Sequence, residues 1–196
     1  MYQQSVPYGE HFISEHPCYI GGLSRDQGDV RNVLSAYDMM ISVGADPLRM
    51  SVYSEIDPLP NGMSVIQIGL LDWEMGKNFA ADMAVRGDVR ETLCALIPIL
   101  QAKGSVALAK KATAAIDAMA PRNWSATRQA MGESVLAAKD VNPIDPNWMT
   151  WQMVENLPKN AVMVHEGLTT TWQMHKMLAY TDRYSYHGFG SGGIGW

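Results

Sequence analysis

An almost unbroken apolar run, Met39 to Val43, is closed by Gly44 and then by Pro47, which has no N–H to give to a strand ladder. A run without alternation predicts a strand covered on both faces, as in parallel sheets flanked by helices. Before it, Val30, Val33, Leu34 and Tyr37 recur at helical spacing, and after it MSVIQIGLL (63–71) predicts a second strand. Asp72 is the expected cap of a short helix through WEMGKN. A third strand, MAVRGD (83–88), ends at Asp88. Val89, Leu93, Leu96, Ile97 and Leu100 then place one apolar stripe on the following helix. Strands that alternate with helices predict a parallel, right-handed wound sheet.

Residues 105–120 are alanine-rich and predicted helical. Residues 121–145, with Pro121 and Pro143 around a polar stretch and Pro146 just beyond, are expected to connect two domains. The pattern then restarts. A helix through NWMTWQMVENLP carries Met149, Met153, Val154 and Leu157, and a strand, AVMVHE (161–166), follows. A second helix lies in GLTTTWQMHKMLAY (167–180), and a short strand, YSYHG (184–188), leads into the glycine run GFGSGGIGW (188–196). No internal repeat or low-complexity tract interrupts this order.

Composition narrows the classes. Of 196 residues, 47% are hydrophobic and 18% charged, which suits a globular chain with one sizeable core or two small ones. The formal charge of -5 is spread without a block of like charges, so neither nucleic acid nor a membrane surface is an expected partner. Cys18 and Cys94 are isolated, which points to a reducing, cytoplasmic setting. No apolar run approaches the roughly 20 residues that span a bilayer, and MYQQSVPYGEHF has no leader pattern, so insertion and secretion are not expected. Methionine and tryptophan fall on helical stripes such as Met149, Met153 and Trp172, where core or subunit packing is expected.

Four stretches carry candidate chemistry. Gly188, Gly190 and Gly193 fit the dinucleotide pattern G-x-G-x-x-G, although the acidic residue expected about 20 positions later would lie beyond Trp196. EGLTTT (166–171) sits between a strand and a helix, where free N–H groups and hydroxyls suit a phosphate, and where a threonine is equally at home as a simple N-cap. VGADP (43–47) ends a strand at the place where Rossmann-like sheets bind nucleotides. His16, in EHPCY, carries an imidazole, which has the chemistry of a proton donor or acceptor. His11, His165, His175 and His187 lack metal-ligand spacing and are expected on the surface or at caps.

In order and spacing, SEHPCYIGGL, YDMMISVGADP, VIQIGLLDWEMGKNFAADMAVRGDVRETL, AVMVHEGLTTTWQMHKML and GFGSGGIGW resemble the thiamin diphosphate-dependent 2-keto acid decarboxylases and lyases, with most similarity to the benzoylformate decarboxylase branch. The likeness covers nearly the whole chain apart from roughly residues 105–140. It implies an α/β fold: a parallel Rossmann-like sheet of an incomplete central domain, plus the first β-α-β portion of a diphosphate-binding domain. Residues 1–104 would be the C-terminal part of the central domain, 105–145 a helical linker, and 146–196 the start of the diphosphate-binding domain. The pyrimidine-binding domain, with its activating glutamate, and the magnesium ligands would lie outside this chain.

By the same resemblance, Thr169 supplies a hydroxyl to the diphosphate, and the Gly192 carbonyl, beside Gly193, accepts from the cofactor's exocyclic amine. Ile194 wedges between the two rings, and His16 takes part in proton transfer. Leu168 stands where the benzoylformate decarboxylases have a threonine, which implies an aliphatic rather than an aryl substrate. The implied cofactors are thiamin diphosphate and magnesium. The implied partners are a small 2-keto acid and either further copies of the chain or complementing N-terminal and C-terminal segments. The isolated chain is expected to be inactive and, with an open sheet edge, to self-associate. A nucleotide-binding module and a catalytically silent subunit stand as the alternatives.

Overall fold

The computed structural model describes residues 1–3, 12–45, 48, 50, 53–167 and 169–188. Two compact units divide the chain: one holds Gln4–Val6 and Gly22–Lys111, the other Met1–Gln3, Pro7–Gly21 and Ala112–Trp196. Near the start, β1 (Tyr2–Gln3) pairs with β2 (Gly21–Gly22).

In the 22–111 unit, α1 (Gln27–Leu34) begins where the Asp26 carboxylate accepts the Asp29 N–H at 3.0 Å. Its predicted inner face places Val30 and Leu34 in a core with Leu48, surrounded by Leu23, Met40, Met63 and Phe79. Three strands, β3 (Met39–Val43), β4 (Ser64–Gly69) and β5 (Met83–Arg86), lie parallel in the order β3-β4-β5. Met39 faces Ser64 at one end of the first pair and Val43 faces Ile68 at the other; Ile66 opposite Met83 opens the second. β4, in the middle, buries Val65, Gln67 and Ile68.

β3 departs from the expectation of cover on both faces. Side chains alternate along a strand, so Met40 reaches the core while Met39, Ile41 and Val43 share the other face, 47%, 55% and 38% exposed. Helix α2 (Val89–Lys103) is capped by Asp88, whose carboxylate accepts the Glu91 N–H at 3.0 Å. Its stripe is only half covered: Val89, Leu93 and Leu96 are partly buried, whereas Ile97 and Leu100 are exposed. Asp72 is not a cap. It opens a single 3-10 turn over Asp72–Glu74 without a capping side-chain bond, and instead pairs with Arg86 at 3.0 Å.

The alanine-rich α3 (Val106–Met119) follows, solvent-exposed along almost its whole length. In the 112–196 unit the stretch expected to be a connection contains a helix, α4 (Trp124–Leu136), because Asn123 caps it by accepting the Ala126 N–H at 2.9 Å and Trp124 and Val135 give it a buried side. α5 (Pro146–Glu155) starts with Pro146 in its first turn and Asp145 accepting the Asn147 and Trp148 N–H groups. Its buried residues are Thr150 and Val154; Met149 and Met153 are exposed, as is Trp172, so of the two expectations for them, core or subunit packing, the chain's own core is not the one met. α4 and α5 cross closely at Gly132, where an added Cβ would come within 2.6 Å of the Trp151 ring.

β6 (Met163–His165), α6 (Thr169–Met177) and β7 (Tyr186–Gly188) complete a β-α-β unit with parallel strands, Met163 opposite Tyr186 and His165 opposite Gly188. Val135, Val154, Met174, Met177, Tyr180 and Tyr186 form its core. The fold is thus α/β with parallel sheets, as the alternation of elements predicts. Among the described residues, no single helix is long and apolar enough to cross a membrane.

Candidate functional site

β6 ends at His165, and Glu166 and Gly167 lead towards the first turn of α6 at Thr169. Thr169 and Thr170 are exposed there, with backbone N–H groups that the helix itself leaves without intrahelical acceptors. Gly167 allows the loop to pass close over this turn, since a Cβ at that position would lie 2.6 Å from Thr171 Oγ1. A helix start with exposed hydroxyls and a partial positive charge matches the chemistry of a phosphate group. Of the five expected cofactor contacts the structure describes Thr169; Leu168, Gly192, Gly193 and Ile194 lie outside the described residues.

Behind the loop runs a partly buried polar chain that sequence reasoning missed. Thr171 Oγ1 lies 3.2 Å from His165 Nδ1, and His165 Nε2 bonds to the Tyr186 hydroxyl. That hydroxyl is 3.1 Å from His175 Nε2, and His175 Nδ1 bonds to the Tyr180 hydroxyl. Tyr180 is anchored in turn: its N–H donates to Ser14 Oγ, and its carbonyl accepts the Ser14 N–H, both at 3.0 Å. Burial pushes the His175 pKa down to about 4, helped by repulsion from His165, and burial also lowers that of His165, against an opposing backbone bond to Gly167. The hydroxyls of Tyr180 and Tyr186 are held well above their ordinary range by burial. These rings are therefore neither surface groups nor caps. The signal was faint: Thr171 and His175 stand four apart on one helix face, but Tyr186 comes from another element.

His16 is exposed at a turn. Its Nδ1 accepts the Cys18 N–H at 3.1 Å, and its ring meets Phe12 edge-on at 5.2 Å. In neutral form its proton then sits on Nε2. At the carboxyl ends of β3 and β4 a cavity of about 60 Å³ is lined by Ser42, Gly44, Gln67, Gly69, Leu71 and Met75. Pockets for drug-sized molecules run to several hundred Å³, so this cavity is far too small for a nucleotide. Among the described residues, no three His, Cys, Asp or Glu side chains gather where they could hold a metal ion.

The comparisons fit this layout. Residues 5–96, just under half of the chain, match the family model "Thiamine pyrophosphate enzyme, central domain". That segment is similar to thiamine pyrophosphate enzyme central domains. Three solved structures share its fold. A protein assigned as a thiamin diphosphate-dependent enzyme from Mycobacterium smegmatis matches over 100% of this chain and 34% of its own, with 24% identity and a TM-score of 0.74. Benzoylformate decarboxylase from Polynucleobacter necessarius matches over 98% and 33%, with 18% identity and a TM-score of 0.69. The thiamine diphosphate-dependent 4-hydroxybenzoylformate decarboxylase of Rhodococcus jostii RHA1 matches over 94% and 31%, with 17% identity and a TM-score of 0.61. The chain thus spans about a third of the length of these structures. No curated protein sequence matches it significantly.

Among the described residues, the start of α6 offers donors of the kind that suit a diphosphate, hydroxyls and main-chain N–H groups. The described carboxylates do not gather into a magnesium site.

Proposed function

We propose that the chain is part of a thiamin diphosphate- and magnesium-dependent 2-keto acid decarboxylase or carboligase of the benzoylformate decarboxylase type. The observation that carries this is the family match over residues 5–96, extended by structural likeness along the rest of the chain to enzymes bearing those names. In this reading residues 1–104 belong to the central domain, 105–145 link it onwards, and 146–196 begin the diphosphate-binding domain. The protein is cytoplasmic. Its site is completed by further copies or by complementing segments, which also bring the magnesium ligands.

Bound there, the cofactor supplies the electron sink for loss of carbon dioxide. The chain's own residues bind and orient it. Thr169 and the first N–H groups of α6 hold the diphosphate, and Gly192, Gly193 and Ile194 shape the other end. Leu168 forms a wall favouring an aliphatic 2-keto acid, and His16, with its proton on Nε2, exchanges protons with the substrate.

The test is a titration of the 15N-labelled chain with thiamin diphosphate and magnesium. Binding weaker than about 1 mM is expected, with the amide shifts centred on Thr169 and Thr170 and with no change when thiamin lacks its diphosphate. No carbon dioxide should be released from any 2-keto acid. Unperturbed Thr169 and Thr170 amides would sink the diphosphate assignment, and micromolar binding with turnover would sink the claim that the chain alone is inactive.

A further inference from the structure

Of the eight asparagines in the chain, only Asn61 is followed by glycine. The pair forms the exposed tip of a turn that leads into β4, closed by a bond from the Met63 N–H to the Pro60 carbonyl at 3.2 Å. Gly62 holds φ at +79°, and a Cβ there would meet nothing within 4 Å. Neither the Asn61 side chain nor the Gly62 N–H has a hydrogen-bond partner among the described residues. The other asparagines are held back from the chemistry this permits. Asn32 and Asn147 lie inside helices, and the N–H groups that follow Asn123, Asn156 and Asn160 donate to the carbonyls of Tyr19, Val154 and Pro158. Asn142 precedes Pro143, which has no N–H, and Asn78 precedes Phe79, which packs against the core of Val30, Leu34 and Leu48.

We propose that Asn61 is a self-modification site, where the chain converts its own side-chain amide to isoaspartate and so loosens the entry to β4. Gly62 N attacks Asn61 Cγ. A C–N bond forms, the Cγ–Nδ2 bond breaks, and the Gly62 amide hydrogen leaves with the side-chain nitrogen as ammonia. Ring closure needs the Asn61–Gly62 peptide to swing towards the side chain, which a glycine with open space around it permits at the cost of the turn bond. Water then opens the ring. Addition at Cγ gives aspartate on the original main chain, and addition at the main-chain carbonyl gives isoaspartate, whose backbone runs through Cβ and Cγ. Either product adds a negative charge, and isoaspartate also lengthens the main chain by a methylene. Both ends of the tip are fixed: Arg31 Nη1 donates to the carbonyls of Asp57 and Leu59 at 2.7 and 2.9 Å, and the Ser64 N–H donates to the Asp38 carbonyl at 3.2 Å. The added atom must therefore be absorbed between residues 60 and 63, at the expense of the turn bond and of the seat of Met63 against the core. The modification depends on this turn alone and not on any cofactor.

The test keeps the full chain folded in mildly alkaline buffer at physiological temperature, digests it at acid pH and reads the peptides by mass spectrometry with electron-transfer fragmentation, which separates aspartate from isoaspartate. The peptide that carries Asn61 is expected to exchange NH for O before any other asparagine peptide does, with isoaspartate among its products. Asn61→Gln, whose longer side chain must close a larger ring, should show no conversion over the same period. The converted chain should melt at a lower temperature than the fresh one. Asn61→Asp, which brings the charge without the added backbone atom, should melt with the fresh chain. Conversion first at another asparagine, conversion of Asn61 only in chain unfolded by urea, or a product that is aspartate alone would each overturn the proposal. So would a converted chain that melts together with the Asn61→Asp variant, because the added atom would then leave the entry to β4 as it was.

Discussion

The two units bury their sheets by different means. In the 22–111 unit three parallel strands pack one apolar face against α1 and leave Met39, Ile41 and Val43 open on the other, and α2 buries no residue fully. In the 112–196 unit the sheet has only two strands of three residues, yet Tyr186 and Met177 are almost inaccessible. There the apolar helix faces enclose a polar chain in which every member has a partner. A small sheet surrounded by helices needs less apolar area than a larger sheet with one bare side when its polar side chains are bonded to one another, although buried Trp124 Nε1 in this unit has no such partner.

That contrast can be broken from the inside of the second unit. Met177 is 0% exposed, and its carbonyl accepts Arg128 Nε at 2.6 Å while the guanidinium stacks 4.7 Å from the centre of the Trp151 ring and pairs with Glu155. Met177→Ala should cost about 3 kcal/mol through transfer and cavity effects. Urea titration followed by tryptophan emission will show it, since Trp124, Trp148, Trp151 and Trp172 lie in this unit and Trp73 in the other. An unchanged midpoint would mean that the core tolerates collapse.

Acid acts next. His175 has a folded pKa of about 4 against 6.5 when free. Between those values the unfolded chain binds more protons, so stability is full above about pH 6.5 and declines as pH falls towards 4. His175→Gln should flatten this slope in a pH series of thermal melts, and a slope that persists would place the titration elsewhere. The smallest effect on stability belongs to the bare face. Ile41→Lys should change folding stability by less than about 0.5 kcal/mol yet reduce self-association in light scattering. If association persists, the β3 face is not its seat.

Much of this was legible in the sequence. β3, β4, α1 and α2 follow from apolar period, whereas the cap expected at Asp72 is absent and the one at Asp88, whose side chain accepts the Glu91 N–H, was read only as the end of a strand. α5, β6, α6 and β7 follow in the same way. α4 did not, because prolines on either side and sparse apolar positions imitate a connection, whereas the buried pair Trp124 and Val135 is separated by three helical turns. β3 carried an apolar sequence on both faces, and pattern alone does not say whether a second layer is supplied. Site chemistry was legible where one stretch holds it, as at Thr169, and illegible where it depends on residues meeting from separate elements, as for His165, His175 and Tyr186.

The crossing of α4 and α5 at Gly132 has an evolutionary consequence. With a Trp151 ring atom 2.6 Å from where a methyl would begin, neither position can drift alone: a larger residue at 132 demands a smaller one at 151. Across relatives these two positions should therefore covary in size, a record of the helix crossing written in sequence rather than in coordinates.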